Sequence, residues 1–218
     1  MGGRYRVREI LLPRRRGDHH DTDLREEEGN VGVTLNHPRD IAAVFDAGQS
    51  PLPNHIGRIH IVHEHPGHEA SVRRVIANAF GRDAEARLVD DLRLSRDLAI
   101  SLVAEEEGKI CGHVALSSLK APPHALALAP VSVSRARQRQ GIGSALIRRA
   151  IQCARDSGYE IIFVLGEPDY YKRFGFETKE AAPFRAPFSG PYFMALNLVG
   201  LPMAPANVIY PHAFEALN

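Results

Sequence analysis

The chain has 218 residues, with 27 Lys and Arg against 26 Asp and Glu, and a formal net charge of +1. That balance argues against a polyanion-binding protein, so no nucleic acid partner is expected. Hydrophobic residues make up 44% and charged residues 24%, ordinary values for a globular protein. No apolar run nears the roughly 18 residues that cross a bilayer, so no membrane partner is expected.

Residues 1 to 57 carry charge clusters such as Arg14-Arg15-Arg16 and Arg25-Glu26-Glu27-Glu28, without sustained apolar periodicity. They read as a poorly ordered extension, dispensable for the fold. An apolar export core is missing, and the many acids argue against a mitochondrial leader. Cys111 and Cys153 are the only cysteines. Two buried, reduced thiols in a cytoplasmic protein is the expectation.

The elements follow in order. Arg58 to His63 alternates as a first strand. Glu69 to Phe80 sets Val72, Val75, Ile76 and Ala79 on one helical face, and Ala84 to Leu94 does the same with Leu88, Val89 and Leu92. Leu98 to Glu105 and Ile110 to Ser118 alternate around a turn at Glu107-Gly108 and read as a hairpin. Pro122-Pro123 breaks the chain before a central strand, Ala125 to Val133. A long helix carries Leu146, Ile147, Ala150, Ile151 and Ala154. Glu160 to Leu165 is a buried strand, a short tyrosine-bearing helix follows, and Pro191 to Leu198 is a sixth strand. The class is mixed α/β, with a core domain over residues 58 to 200 and a tail, 201 to 218, packed on it.

Gln138-Arg139-Gln140-Gly141-Ile142-Gly143 joins the central strand to the long helix. A helix start offers unpaired N–H groups and a positive dipole end, and glycine lets a ligand lie against the backbone. The segment reads as a phosphate cradle. It is no P-loop, since no Lys follows Gly143, and no dinucleotide fingerprint, since Leu146 stands where the third glycine belongs. A second element follows the fifth strand: Gly166-Glu167-Pro168-Asp169-Tyr170-Tyr171-Lys172-Arg173-Phe174-Gly175-Phe176.

Together these segments resemble the GNAT superfamily of N-acetyltransferases. Gln138, Gly141 and Gly143 match its acyl-CoA pyrophosphate loop. Tyr170, Tyr171, Gly175 and Phe176 match its tyrosine element. With Val164-Leu165 and Phe193-Met194-Ala195-Leu196, they look like one bacterial branch of predicted N-acetyltransferases. The resemblance implies the GNAT fold, acetyl-CoA as co-substrate, and transfer of its acetyl group to a primary amine of a small molecule or protein. It implies that amides of Arg139, Gln140, Gly141, Ile142, Gly143 and Ser144, beside Gln138, hold the pyrophosphate. It implies that the backbone of Val131, Ser132 and Val133 pairs with pantetheine as an added strand would. A homodimer is an assembly it allows.

Tyr171 falls at the family's general-acid position, and a phenol can protonate a leaving thiolate. Tyr170 reads as the core member of the pair. Glu167, just past the fifth strand, stands as the candidate base. Asp169, His113 and a water relay stay open beside it. His60, His63, His65 and His68 lack the zincin spacing, and no metal is expected. The acceptor groove falls to loops around Phe80 to Arg96 and Ala181 to Pro191, which no motif encodes. An acyl-CoA-binding sensor and a transferase of longer acyl groups remain alternatives.

Overall fold

A computed structural model of the chain describes residues 55–187, residue 57 excepted, and residues 190–217. The extension expected before residue 55 lies outside the described residues. Nine strands and five α-helices appear among the described residues: β1 (His55–Ile56), β2 (Ile59–His63), α1 (Glu69–Phe80), α2 (Ala84–Leu94), β3 (Leu98–Glu106), β4 (Lys109–Ser118), β5 (Ala125–Val133), α3 (Ile142–Asp156), β6 (Ile161–Leu165), α4 (Pro168–Tyr171), α5 (Thr178–Ala181), β7 (Phe184–Arg185), β8 (Phe193–Asn197) and β9 (Ala206–Asn207). His55–Ile56 pairs antiparallel with β2 at the sheet edge.

Seven strands form one sheet in the order β1-β2-β3-β4-β5-β6-β8. All neighbours run antiparallel except β5 and β6. Both faces are covered, which is why β4 is buried along most of its length instead of alternating. On one face α3 lays Ile142, Leu146, Ile147, Ala150 and Ala154 against Leu102, Ala104, Val114, Leu116, Leu126 and Leu128. On the other, α1 and α2 set Val72, Ile76, Ala86 and Val89 against Val103 and Ala115. A further cluster joins Leu88 and Leu92 of α2 to Phe163, Phe193, Val208 and Phe214.

Two irregularities shape the centre of the sheet. Against β4, Val131 pairs with Val114 and Leu128 with Leu116, so β5 places two residues where β4 has one. This bulge holds Pro130, which has no N–H for a ladder. Against β6, pairing runs only through Ala125, Ala127 and the residue between them. Beyond Ala127 and Phe163 the two parallel strands part.

Gly112 sets how closely α3 approaches β4. A Cβ there would meet Leu146 Cδ1 at 3.0 Å, Ile142 Cγ2 at 3.2 Å and the Ala104 Cβ at 3.3 Å. Strand propensity alone favours valine over glycine. Packing opposes it. We expect Gly112→Val to destabilise the protein by about 1–3 kcal/mol, the usual cost of overpacking. Thermal denaturation would register it as a drop of about 2–4 °C per kcal/mol for a chain this size. A melting point at or above wild type would contradict the close approach.

Candidate active site

The site lies at the C-terminal ends of β5 and β6, where parallel strands diverge and ligands commonly bind. The turn after β5 runs through a 3-10 turn, Arg135–Arg137, to Gly141 at the start of α3. Gln138 Nε2 donates to the Val133 carbonyl at 3.1 Å, tying the turn to the strand tip. Arg139 and Gly141 both take positive φ, 63° and 80°. Such backbone gathers N–H groups into an anion-binding concavity. The first-turn amides of Ile142, Gly143 and Ser144 have no intrahelical acceptor.

The two glycines of this turn act differently. Gly141 supplies a left-handed conformation, with open space where a Cβ would stand. Gly143 supplies closeness: a Cβ there would lie 3.2 Å from Tyr170 Oη and 3.6 Å from Val133 Cγ2. Tyr170 therefore reaches the cradle itself.

Tyr171 sits on the β6 side of the same opening. Gly166 follows β6, and a Cβ on it would fall 2.3 Å from Tyr171 Cε2. Only a glycine admits the ring. Tyr171 is fully buried, and Oη has no hydrogen-bond partner among the described residues. Burial, with Tyr170 nearby, pushes its phenol well above the usual value of 10. The expectation for the pair is thus reversed: Tyr171 is the core residue and Tyr170 is half-buried. The reason is the single turn of α4, which directs consecutive side chains about a quarter-turn apart, one inward and one along the α3 start.

Glu167 enters α4 with its carbonyl accepting from the Tyr170 and Tyr171 N–H groups at 3.0 and 3.1 Å. Its side chain makes no capping bond and is exposed, as is that of Asp169. The geometry brings neither carboxylate into the buried opening.

A polar line crosses the other face of the sheet, strand by strand. Arg93 of α2 reaches Glu64 Oε1 at 2.6 Å, just past β2. Ser101 Oγ on β3 donates to Glu64 Oε2. His113 Nε2 on β4 lies 2.9 Å from Ser101 Oγ. His113 pairs directly with Ser132 of β5, so the two share a face. A carboxylate only accepts, so the Ser101 proton points to Glu64 and its oxygen accepts from His113 Nε2–H. That fixes the tautomer and leaves Nδ1 bare. Nδ1 of His113 and Oγ of Ser132 are buried and have no partner among the described residues. Each such group costs about 1–3 kcal/mol in an empty fold. Ser117 Oγ is also unpartnered. It stands four residues along β4, about 13 Å away at about 3.3 Å per residue, and belongs to another part of the sheet.

A cleft of about 760 Å³ opens between the end of α1 and the turn after β5. Ala77, Asn78, Gly81 and Arg82, at the end of α1 and beyond it, face Ser134 and Arg135 after β5. It uses part of the Phe80 to Arg96 region expected for the acceptor. The Glu64–Ser101–His113 line escaped sequence reasoning. Its members lie on three elements and meet only through register, so no spacing announces them. Among the described residues no three His, Cys, Asp or Glu side chains group as metal ligands do.

The line has a pH signature. Burial lowers the affinity of His113 for a proton, against the pull of Glu64. Glu64 would be raised by burial, yet the His113 and Ser101 hydrogen bonds and the Arg93 charge bring it down to about 2 from the usual 4.5. Both groups bind protons more weakly folded than unfolded, so both stabilise the fold at neutral pH. The His113 contribution begins to fall as pH drops below the unfolded value of 6.5, and the Glu64 contribution between 4.5 and about 2. We expect urea denaturation to show wild-type stability falling through both windows. His113→Gln should flatten the upper window and, because His113 helps hold the Glu64 carboxyl down, weaken the lower one as well. An unchanged slope below pH 6.5 in that variant would contradict the assignment.

Residues 59–176 match the family model described as Acetyltransferase (GNAT) family. The N-acetyltransferase YhbS of Escherichia coli (strain K12) is 34% identical over 137 residues, covering 61% of this chain and 80% of the relative. A crystal structure of Escherichia coli YhbS in complex with CoA superposes with a TM-score of 0.69 at 29% identity, covering 72% of this chain and 92% of that one. A GNAT acetyltransferase from Brucella melitensis in complex with acetyl-CoA gives 0.63 at 36% identity, with 72% and 97% covered. Sequence and fold converge: the chain belongs to the GNAT family of acetyltransferases.

Proposed function

We propose that this chain transfers the acetyl group of acetyl-CoA to a primary amine, with Tyr171 as proton donor to the departing thiolate. The observation that carries the reading is the parting of β5 from β6 beyond Ala127 and Phe163. It leaves the strand tip Val131 to Val133 open on that side, as a strand-like pantetheine chain requires. Acetyl-CoA supplies an activated thioester. The residues present fit it: the turn amides from Arg139 to Ser144 suit a pyrophosphate, and the orphaned Tyr171 Oη suits a partner delivered by a ligand. Two relatives solved with CoA and acetyl-CoA support the same assignment.

Tyr171 holds its proton firmly, because burial disfavours the phenolate. It therefore remains a donor throughout the neutral range and recovers its proton once the thiol departs. Water is kept from the ring by Phe174, Phe176 and Tyr170, whose rings lie within 6.4 Å of it. Glu167 is exposed and serves, in this reading, at the mouth of the site. Free, buried Cys111 and Cys153 suit a reducing compartment, and we place the reaction in the cytoplasm.

An acetyl-CoA turnover screen against amine panels, read as free thiol, tests the reaction. A binding-only sensor would take up CoA and release no thiol with any amine. Tyr171→Phe keeps the packed ring and removes the proton. We expect acetyl-CoA affinity by calorimetry to change little and the maximal rate to fall roughly ten- to a thousandfold. Wild-type turnover in the Phe variant would remove Tyr171 from the mechanism. Because burial raises the phenol, its alkaline limb should lie above pH 10. A Tyr171-dependent limb near neutrality would contradict the burial.

A further inference from the structure

We propose that His113 is the general base of this site, taking the ammonium proton of the acceptor on Nδ1, with Ser101 and Glu64 as positioning residues and Ser132 Oγ as a second hydrogen-bond partner of the amine. The proposal rests on the acetyl-transfer reading. It starts from two buried polar atoms, His113 Nδ1 and Ser132 Oγ, on directly paired residues and without partners among the described residues. A primary amine offers what both lack. It donates to a bare imidazole nitrogen and to a hydroxyl oxygen.

The tautomer argument gives the base its direction. Glu64 orients the Ser101 hydroxyl, and Ser101 in turn holds Nε2–H. Nδ1 then faces away from that chain as an acceptor. Once protonated, the imidazolium stands 3.7 Å from the Glu64 carboxylate through Nε2. A base needs this combination, neutral at rest and stabilised when charged.

The charged groups around His113 are few. Glu64 comes from the segment after β2 and Arg93 from α2. α1 contributes Val72 and Ile76 to the packing on this face, α2 contributes Val89, β3 contributes Val103, and β5 contributes Ser132. Arg93 is already shared by Glu64 and Asp90. Burial keeps the ring neutral at neutral pH.

The acceptor's route in this proposal is the cleft, whose lining stops short of His113 and Ser132. Its wall at Ser134 is two residues beyond Ser132, about 7 Å of extended chain. α1 closes the other side through Ala77 and Gly81. The acceptor would enter on the α1 face of the sheet. The thioester would approach through the parted edge of β5, whose Val131 and Val133 pack on the α3 side.

The step balances. The ammonium gives one proton to His113 Nδ1. The amine lone pair forms the C–N bond to the acetyl carbon and the C–S bond breaks. The departing thiolate takes the Tyr171 proton. The second N–H proton of the new amide nitrogen passes to the Tyr171 phenolate inside the closed site, and His113 releases its proton to solvent once the product has left. The net change is ammonium plus thioester to amide, thiol and one proton.

The experiment uses the full chain, acetyl-CoA and two probe amines. Propylamine is an ammonium at neutral pH, whereas hydroxylamine is mostly free base. His113→Gln keeps a donor for Ser101 and removes the base. Calorimetry should give wild-type acetyl-CoA affinity. Thiol release should fall about a hundredfold with propylamine and much less with hydroxylamine, which needs no deprotonation. Ser101→Ala should show the same amine-selective loss, smaller in size. An equal loss with both amines, or none, overturns the proposal. Nitrogen-15 NMR of the wild-type His113 ring decides independently of turnover. It should show a neutral ring with the proton on Nε2, and propylamine added to the CoA complex should shift Nδ1. A proton on Nδ1, or no shift at saturating propylamine, overturns the proposal. Failure of wild-type protein to bind acetyl-CoA would instead strike the acetyl-transfer reading.

Discussion

Two parallel strands that pair over Ala125 to Ala127 and then separate leave Val131 to Val133 without a strand neighbour on one side, where Gln138 reaches only the Val133 carbonyl. Backbone donors and acceptors in a protein interior are almost always paired, because an orphan costs as much as a lost hydrogen bond. An opening of this kind persists only where the surrounding structure enforces it. Here the bulge at Pro130 turns β5 while β4 holds its other edge in register. The β6 edge is tied on its far side to β8, from Ile161 opposite Asn197 to Leu165 opposite Phe193. Neither strand can relax toward the other.

The rest of the site follows from that gap. Gly112 brings α3 close to β4, so the helix start arrives beside the tip of β5. α4 spans the mouth: Tyr170 touches the cradle at Gly143, and Tyr171 fills the space left by Gly166. One face of the opening is apolar and carries the phenol. The other carries the Arg93–Glu64–Ser101–His113 line and a cleft. A cofactor and an acceptor can thus meet from opposite sides of a single sheet. On the reading proposed above, the co-substrate of this acetyltransferase completes the sheet.

Much of this was legible in the residues. α1 and α2 run over the segments their periodicity marks, because Val72, Val75, Ile76 and Ala79, and then Leu88, Val89 and Leu92, can only be buried together as helical faces. β5 ends where Val133 meets the polar turn, as expected, and the turn carrying Gly141 opens α3. Local pattern stopped short where contact depends on register. The depth of Tyr171 follows from Gly166, which lies in the same segment but whose contact with the ring no strand or helix period announces. His113 looks solitary along β4, and its partners come from β3 and the segment after β2. The β7–β9 pair joins two-residue segments about twenty positions apart and leaves no periodic trace. The reading of residues before 55 falls outside the described chain.

The central claim is that the parted edge of β5 receives a strand-like ligand. Residue-resolved amide hydrogen exchange, with and without saturating CoA, tests it most directly. The amides at Val131 to Val133 that point away from β4 should gain protection on CoA binding, together with those from Arg139 to Ser144. The β4-paired amides of the same strand should change little. Protection gained at the turn but absent along β5, or gained uniformly through the sheet, would contradict the account.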